Sequence, residues 1–143
     1  MTTWNKKTFT EELRKNCTRE VTKVSIELIE FSEKYAANIT WGRGSDKGTL
    51  TFRSEYDGGL IPLFHLSSDG KINLLINFLR SKEIPKQVIR DIVLKLESNF
   101  LRDYDEELYP SDIFENIDDL FHTKTQLEKF LKTIEGVVYR LKQ

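Results

Sequence analysis

Residues 39–79 read ITWGRGSDKG TLTFRSEYDGG LIPLFHLSSDG KINLLINFL, from Ile39 to Leu79. Apolar side chains recur there at every second position, the period of a strand whose side chains alternate between two faces. Ile39 and Trp41 share a face opposite Thr40. Leu50 and Phe52 share one opposite Thr49, Thr51 and Arg53. Leu60–Leu66 is apolar on both faces apart from His65. Ile72, Leu74, Ile76 and Phe78 then alternate with Lys71, Asn73 and Asn77. The separators are turn sequences: Gly42, Gly44 and Gly48, then Asp57-Gly58-Gly59, then Ser67-Ser68-Asp69-Gly70. Short connections join antiparallel neighbours, so the stretch predicts a four-stranded antiparallel meander. Its apolar face is Ile39, Trp41, Leu50, Phe52, Phe64, Ile72, Leu74, Ile76 and Phe78. Pro62 marks the third run as an edge strand or a bulged one. Ile61, Leu63, Leu75 and Leu79 fall on the second face.

Helical periods flank the sheet. Thr8 and Glu11 have capping-box spacing, with Thr10 as a competing cap, and open a short first helix. Thr18 is a second N-cap. After it Val21, Val24, Leu28, Phe31 and Tyr35 recur at three- and four-residue steps, widened by Ile29, giving a helix over about 19–37. That helix is the natural cover for the apolar sheet face. Beyond the sheet, Pro85 stands where a helix can start, and Ile89, Ile92, Val93, Leu96 and Phe100 predict one over 86–101. Ser111 is placed to cap a helix carrying Ile113, Ile117, Leu120 and Phe121. Leu127, Phe130, Leu131, Ile134, Val138 and Leu141 mark the last helix. The expected fold is α+β: N-terminal helices, the meander, then C-terminal helices, in one domain over 1–143.

Bulk properties narrow the function. The chain has 143 residues and a formal net charge of −1, without the basic excess that drives nucleic-acid binding. Charged residues are 31% and aromatics run from Trp4 to Tyr139, a globular composition. Cys17 is the one cysteine, so no intrachain disulfide forms, in keeping with a reducing cytoplasm. Met1–Phe9 has no apolar core for a signal peptide, and no apolar run has the length of a membrane span.

Four constellations carry possible chemistry. The Gly42–Gly48 loop could offer backbone N–H groups to a phosphate, with Arg43 and Lys47 beside it. Its glycine spacing misses the dinucleotide fingerprint, a strand follows it, and no kinase motif lies downstream, so it reads as a hairpin turn. Asp57 followed by Asp69-Gly70-Lys71 mimics the acid and D-x-K spacing of metal-dependent nucleases, in which two carboxylates hold a metal and the lysine assists the attacking water. Here Asp69-Gly70 reads as a turn instead. Asp103, Asp105 and Glu107 begin like a calcium loop, but Leu108 replaces its turn glycine and Phe114 its bidentate glutamate. The stretch 103–119 holds eight carboxylates and no Lys or Arg, so it is a solvated face or a docking site for a basic partner. His65 and His122 are the only histidines, with no metal-ligand spacing and no nucleophile elbow. By parity, Thr51, Arg53, His65, Asn73 and Asn77 converge on the second sheet face, which reads first as a solvated outer face and is otherwise the place to look for a ligand.

The stretch Trp41-Gly42-Arg43-Gly44, the run Gly48-Thr49-Leu50-Thr51-Phe52, and Leu63-Phe64 leading to Asp69-Gly70-Lys71-Ile72 resemble an uncharacterised bacterial W-G-x-G domain of unknown function. The helix carrying Leu28-Ile29-Glu30-Phe31 fits the same layout. The resemblance implies a structural role for these motifs: an aromatic anchor, glycine turns and a hairpin. It implies an association with nuclease-like or defence-related modules in some proteins, a stand-alone domain here, and no catalytic residues to carry over. The expectation is therefore a non-catalytic protein-interaction or regulatory module with a protein partner or a second copy of itself, without cofactor, membrane or nucleic acid. The alternatives are the nuclease-like enzyme and a phosphate-ligand binder.

Overall fold

The computed structural model describes residues 4–42, 47–102 and 114–142. In order they form α1 (Lys6–Asn16), α2 (Arg19–Tyr35), β1 (Asn38–Trp41), β2 (Thr49–Tyr56), β3 (Gly59–Ser67), β4 (Lys71–Leu74), α3 (Ile76–Arg80), α4 (Lys86–Phe100), β5 (Glu115–Asn116), α5 (Ile117–Leu120) and α6 (Lys124–Lys142). The fold is α+β, with helices at both ends of an antiparallel sheet. The sheet has five strands in the order β1-β2-β3-β4-β5 rather than four. The added strand is two residues long, too short to show a period in the sequence.

Local chemistry sets the helix starts. The N-cap of α1 is Asn5, not Thr8. The Asn5 side chain accepts from the Thr8 N–H at 3.0 Å, and the Thr8 hydroxyl accepts from the Asn5 N–H at 2.9 Å. A capping box thus forms one turn earlier than the Thr8–Glu11 spacing suggests. Thr18 does cap α2, accepting from the Val21 N–H at 3.2 Å. Pro85 precedes α4 directly, and its carbonyl accepts from the Val88 N–H. At the start of α6 the Gln126 side chain accepts from the Thr123 N–H while the Thr123 hydroxyl accepts from the Gln126 N–H, another reciprocal cap. Ser111 and Ile113 lie outside the described residues. Ile117–Leu120 is a single helical turn preceded by a strand, not part of a longer helix.

The strand register puts Ile39, Phe52, Phe64 and Leu74 in one row and Trp41, Leu50, Leu66 and Ile72 in the next, all on one face. Helices cover that face. Aromatic rings run across the join: Phe9 meets Trp41, Phe31 stacks on Phe52, Phe52 on Phe64, and Phe64 meets Phe130 of α6 edge-on. Phe130 in turn touches Phe100 and Phe121. Each such pair adds about 0.5–1.5 kcal/mol beyond area burial.

Two readings of the sheet are corrected. Strand β4 ends at Leu74. The Leu75 N–H still bonds the Leu63 carbonyl at 3.2 Å, and the chain then turns into α3, so Ile76 and Phe78 are helical. The second correction comes from a bulge. Phe52 pairs with Phe64 but Arg53 pairs with Pro62, which leaves Leu63 as the extra residue of β3. Past the bulge the parity flips: Ile61 pairs with buried Ser54 and is itself 6% exposed, on the helix-covered side. The same bulge accommodates Pro62 in a strand that lies between β2 and β4, not at an edge. Leu63, Leu75 and Leu79 are buried.

Candidate functional site

The second sheet face brings part of the expected polar cluster together. Thr40, Thr51, His65 and Asn73 are successive cross-strand partners on β1 to β4, a row running across the sheet with about 5 Å between strands. Thr51 Oγ1 and His65 Nδ1 are hydrogen-bonded at 2.8 Å. Arg53 donates to the Thr40 hydroxyl. Phe114 stacks against the His65 ring, and Lys47 Nζ lies 5.5 Å from the Phe114 ring centre. The row is not a solvated surface: Thr51 is 6% and Asn73 7% exposed. Asn73 Oδ1 is buried with no hydrogen-bond partner among the described residues. Asn77 does not join the row, because it sits on α3 and accepts from Arg80 at 2.9 Å. Parity carried it to this face, and the end of the strand removed it.

At the glycine loop, Arg43 lies outside the described residues. The backbone on either side is already engaged. The Gly42 N–H donates to the Thr49 carbonyl, and the Gly48 N–H to Ser68 Oγ at 2.9 Å. Lys47 Nζ is 3.5 Å from Asp69 Oδ2. Neither N–H group is available to cradle a phosphate, and the lysine has a carboxylate for a partner.

The acid and D-x-K residues are not brought together. Asp57 lies in the β2–β3 turn and Asp69 in the β3–β4 turn, at opposite ends of the nine-residue strand β3, about 30 Å apart. Burial pushes the Asp69 carboxyl up. The Ser67 hydroxyl that donates to it, with Lys47 and Lys71 nearby, outweighs this and holds it below the ordinary carboxylate value. Those contacts suit a turn-bracing ion pair. Cys17 packs against Gly70 of the same turn. Burial, then Asp69 and Asp118, push its thiol up, which makes it a poor nucleophile at neutral pH.

Of the acidic stretch, Asp103, Asp105, Glu107 and their neighbours through residue 113 lie outside the described residues. Glu115 pairs with Arg102 at 3.3 Å. Burial raises its carboxyl more than Arg102 lowers it. Asp118 leads to a feature that the sequence did not show. A groove of about 390 Å³ opens between α2, α5 and the start of α6. Val21, Val24, Ile117, Phe121 and Leu127 give it apolar walls, and Glu20, Lys23, Glu27, Asp118, His122 and Lys124 give it charged and polar ones. Along the same helix pair a second hollow, sharing Glu27, Lys124 and Leu127, continues past Phe31 to Tyr35 and Leu131. The helical period identified the buried stripe of each helix. It could not show that the two helices leave a furrow between them, since that depends on how they pack.

Comparison of the chain with protein-family models, with curated proteins and with solved structures finds no match. The resemblance drawn from Trp41-Gly42-Arg43-Gly44 therefore rests on those residues themselves. Among the described residues, no helix is long and apolar enough to cross a membrane.

Proposed function

We propose that this chain is a non-catalytic interaction module that docks a protein partner in the furrow between α2 and α6. One observation carries the reading: a groove with both apolar and charged walls runs along two helices, the form that receives an amphipathic segment. Glu20, Glu27, Glu30, Asp118 and Glu128 line it against Lys23, Lys34 and Lys124, which favours a partner with a basic flank. Asp118 ties the acidic stretch to this groove. As part of the same proposal the module works in the bacterial cytoplasm, on the single thiol and on the resemblance given above.

The test is affinity capture from the host with the wild-type chain and with Val24→Arg, whose side chain lines the groove and is partly buried. Circular dichroism checks that the variant folds. The expected result is a protein retained by the wild type and lost with the variant. Capture of nothing, or of the same proteins by both, counts against the reading. A melting temperature raised by Mg²⁺, Mn²⁺ or a nucleotide would favour a ligand-binding or enzymatic role instead, since a ligand that binds only the native state raises apparent stability.

A further inference from the structure

Helix α4 leaves part of its apolar surface outside the core. Val88, Ile89, Ile92, Leu96 and Phe100 are buried. Lys86, Ile89, Arg90, Val93 and Leu94 recur at steps of three, one, three and one, a second stripe along one side of the helix. With Arg80 of α3 these five residues line a hollow of about 390 Å³. Leu94 on its margin is 53% exposed, one of the few large apolar side chains left in water among the described residues. Among the described residues, the hollow shares no lining side chain with the furrow between α2 and α6.

Among its described lining residues the charges are of one sign: Arg80, Lys86 and Arg90 line it, and none of the described carboxylates does. Asp91, the nearest acid on α4, is bound to Arg140 of α6 at 2.7 Å. Across residues 80–95 there are five Lys or Arg against Glu83 and Asp91, in a chain whose net charge is −1. We infer that this hollow is a second docking surface, for an acidic amphipathic helix of a partner protein. Lys86 and Arg90 stand one helical turn apart, with about 5–6 Å between their Cβ atoms, and match carboxylates at the same spacing on an incoming helix. Apolar side chains of that helix fill the hollow against Val93 and Leu94, over the edge of buried Ile89. Three cations without a stacking aromatic make a poor nucleic-acid surface. A concave site with one exposed leucine makes a poor membrane anchor.

The probe is a synthetic, fluorescein-labelled helical peptide with leucines on one face and glutamates beside them. Its control carries lysine for every glutamate. Anisotropy titration of the full chain is expected to show saturable binding of the acidic peptide, weakened by salt, and none of the control. Arg90→Glu and Leu94→Ser each weaken binding by about tenfold, at unchanged melting temperature. Lys86→Glu is the reserve variant if either melts early. No saturable binding, equal binding of both peptides, or affinity unchanged in the variants overturns the inference. So does a preference for phosphatidylserine vesicles or a single-stranded oligonucleotide over the acidic peptide.

Discussion

Two glycines are held by what packs on them, and a third by its backbone alone. A Cβ at Gly48 would lie 2.6 Å from Cδ2 of the Trp4 ring. At Gly70 the φ of +83° is joined by Val21 Cγ1 at 2.8 Å and Cys17 Sγ at 2.9 Å. Gly58 has a φ of +77° and open space around it. Gly70→Ala is therefore expected to cost more than either fault alone, about 2–4 kcal/mol, and Gly58→Ala about 1 kcal/mol, measured by urea unfolding. Asp69 makes a separate claim about acid. Its folded carboxyl sits below the ordinary value of 3.8, so its contribution is full above that pH and is lost as pH falls through the depressed folded value. Asp69→Asn should make the acid limb of the stability curve shallower and leave the region above about pH 5 without slope from this group. An unchanged acid limb would mean that the turn does not stabilise the charged form.

Among the elements, strand β3 and helix α4 each turn on one local irregularity. The bulge at Leu63 reverses the parity of β3 and sends Ile61 inward. Ile61→Ala should accordingly cost about 2–4 kcal/mol, as for a core position, whereas strict alternation would make it nearly neutral. Helix α4 ends with Leu101 in the left-handed region at φ 54°, and the Arg102 N–H closes the turn on the Glu97 carbonyl at 3.2 Å. Leu101 is 88% exposed and loses little packing if removed. Leu101→Gly should stabilise the chain by about 0.5–1 kcal/mol, because glycine adopts that conformation without the Cβ clash. A lower melting temperature for this variant would show that the leucine is held by a contact.

Across the whole molecule, Phe130 is the residue through which the parts communicate. It is fully buried and touches Phe64 of the sheet, Phe100 of α4 and Phe121 beside α5. Phe130→Ala is expected to cost about 3–5 kcal/mol, a large share of the roughly 5–15 kcal/mol typical of a domain. Tryptophan fluorescence reports Trp4 and Trp41 at the N-terminal side, and far-ultraviolet dichroism reports the helices. Their unfolding midpoints should fall together in the variant, and separate midpoints would show that the sheet and the C-terminal helices hold independently. Asn99 and Gln126 reinforce the coupling, each side-chain amide donating to the other's backbone carbonyl at 2.9 and 3.1 Å.

From the sequence alone came the elements with a sustained period or a specific turn. Helices α2, α4 and α6 follow from three- and four-residue spacing, and strands β1 to β4 from alternation, an apolar run and the turn sequences between them. Thr51, His65 and Asn73 were legible as face-mates because period two is strict as long as a strand runs unbroken. The tertiary structure decided what depends on where a period stops or on what a distant segment does. Asn77 left the polar row because β4 gives way to α3 after Leu74. Ile61 entered the core because one extra residue in β3 reverses the sides of all that precede it. Asp57 and Asp69 are twelve residues apart in the chain. A nine-residue extended strand sets them at opposite ends of the sheet. The grooves lay furthest beyond the sequence. A helical stripe shows which side chains seek cover, but whether two packed helices leave a furrow, and which charges line it, is set by side chains far apart in the chain and brought together by the packing of the core.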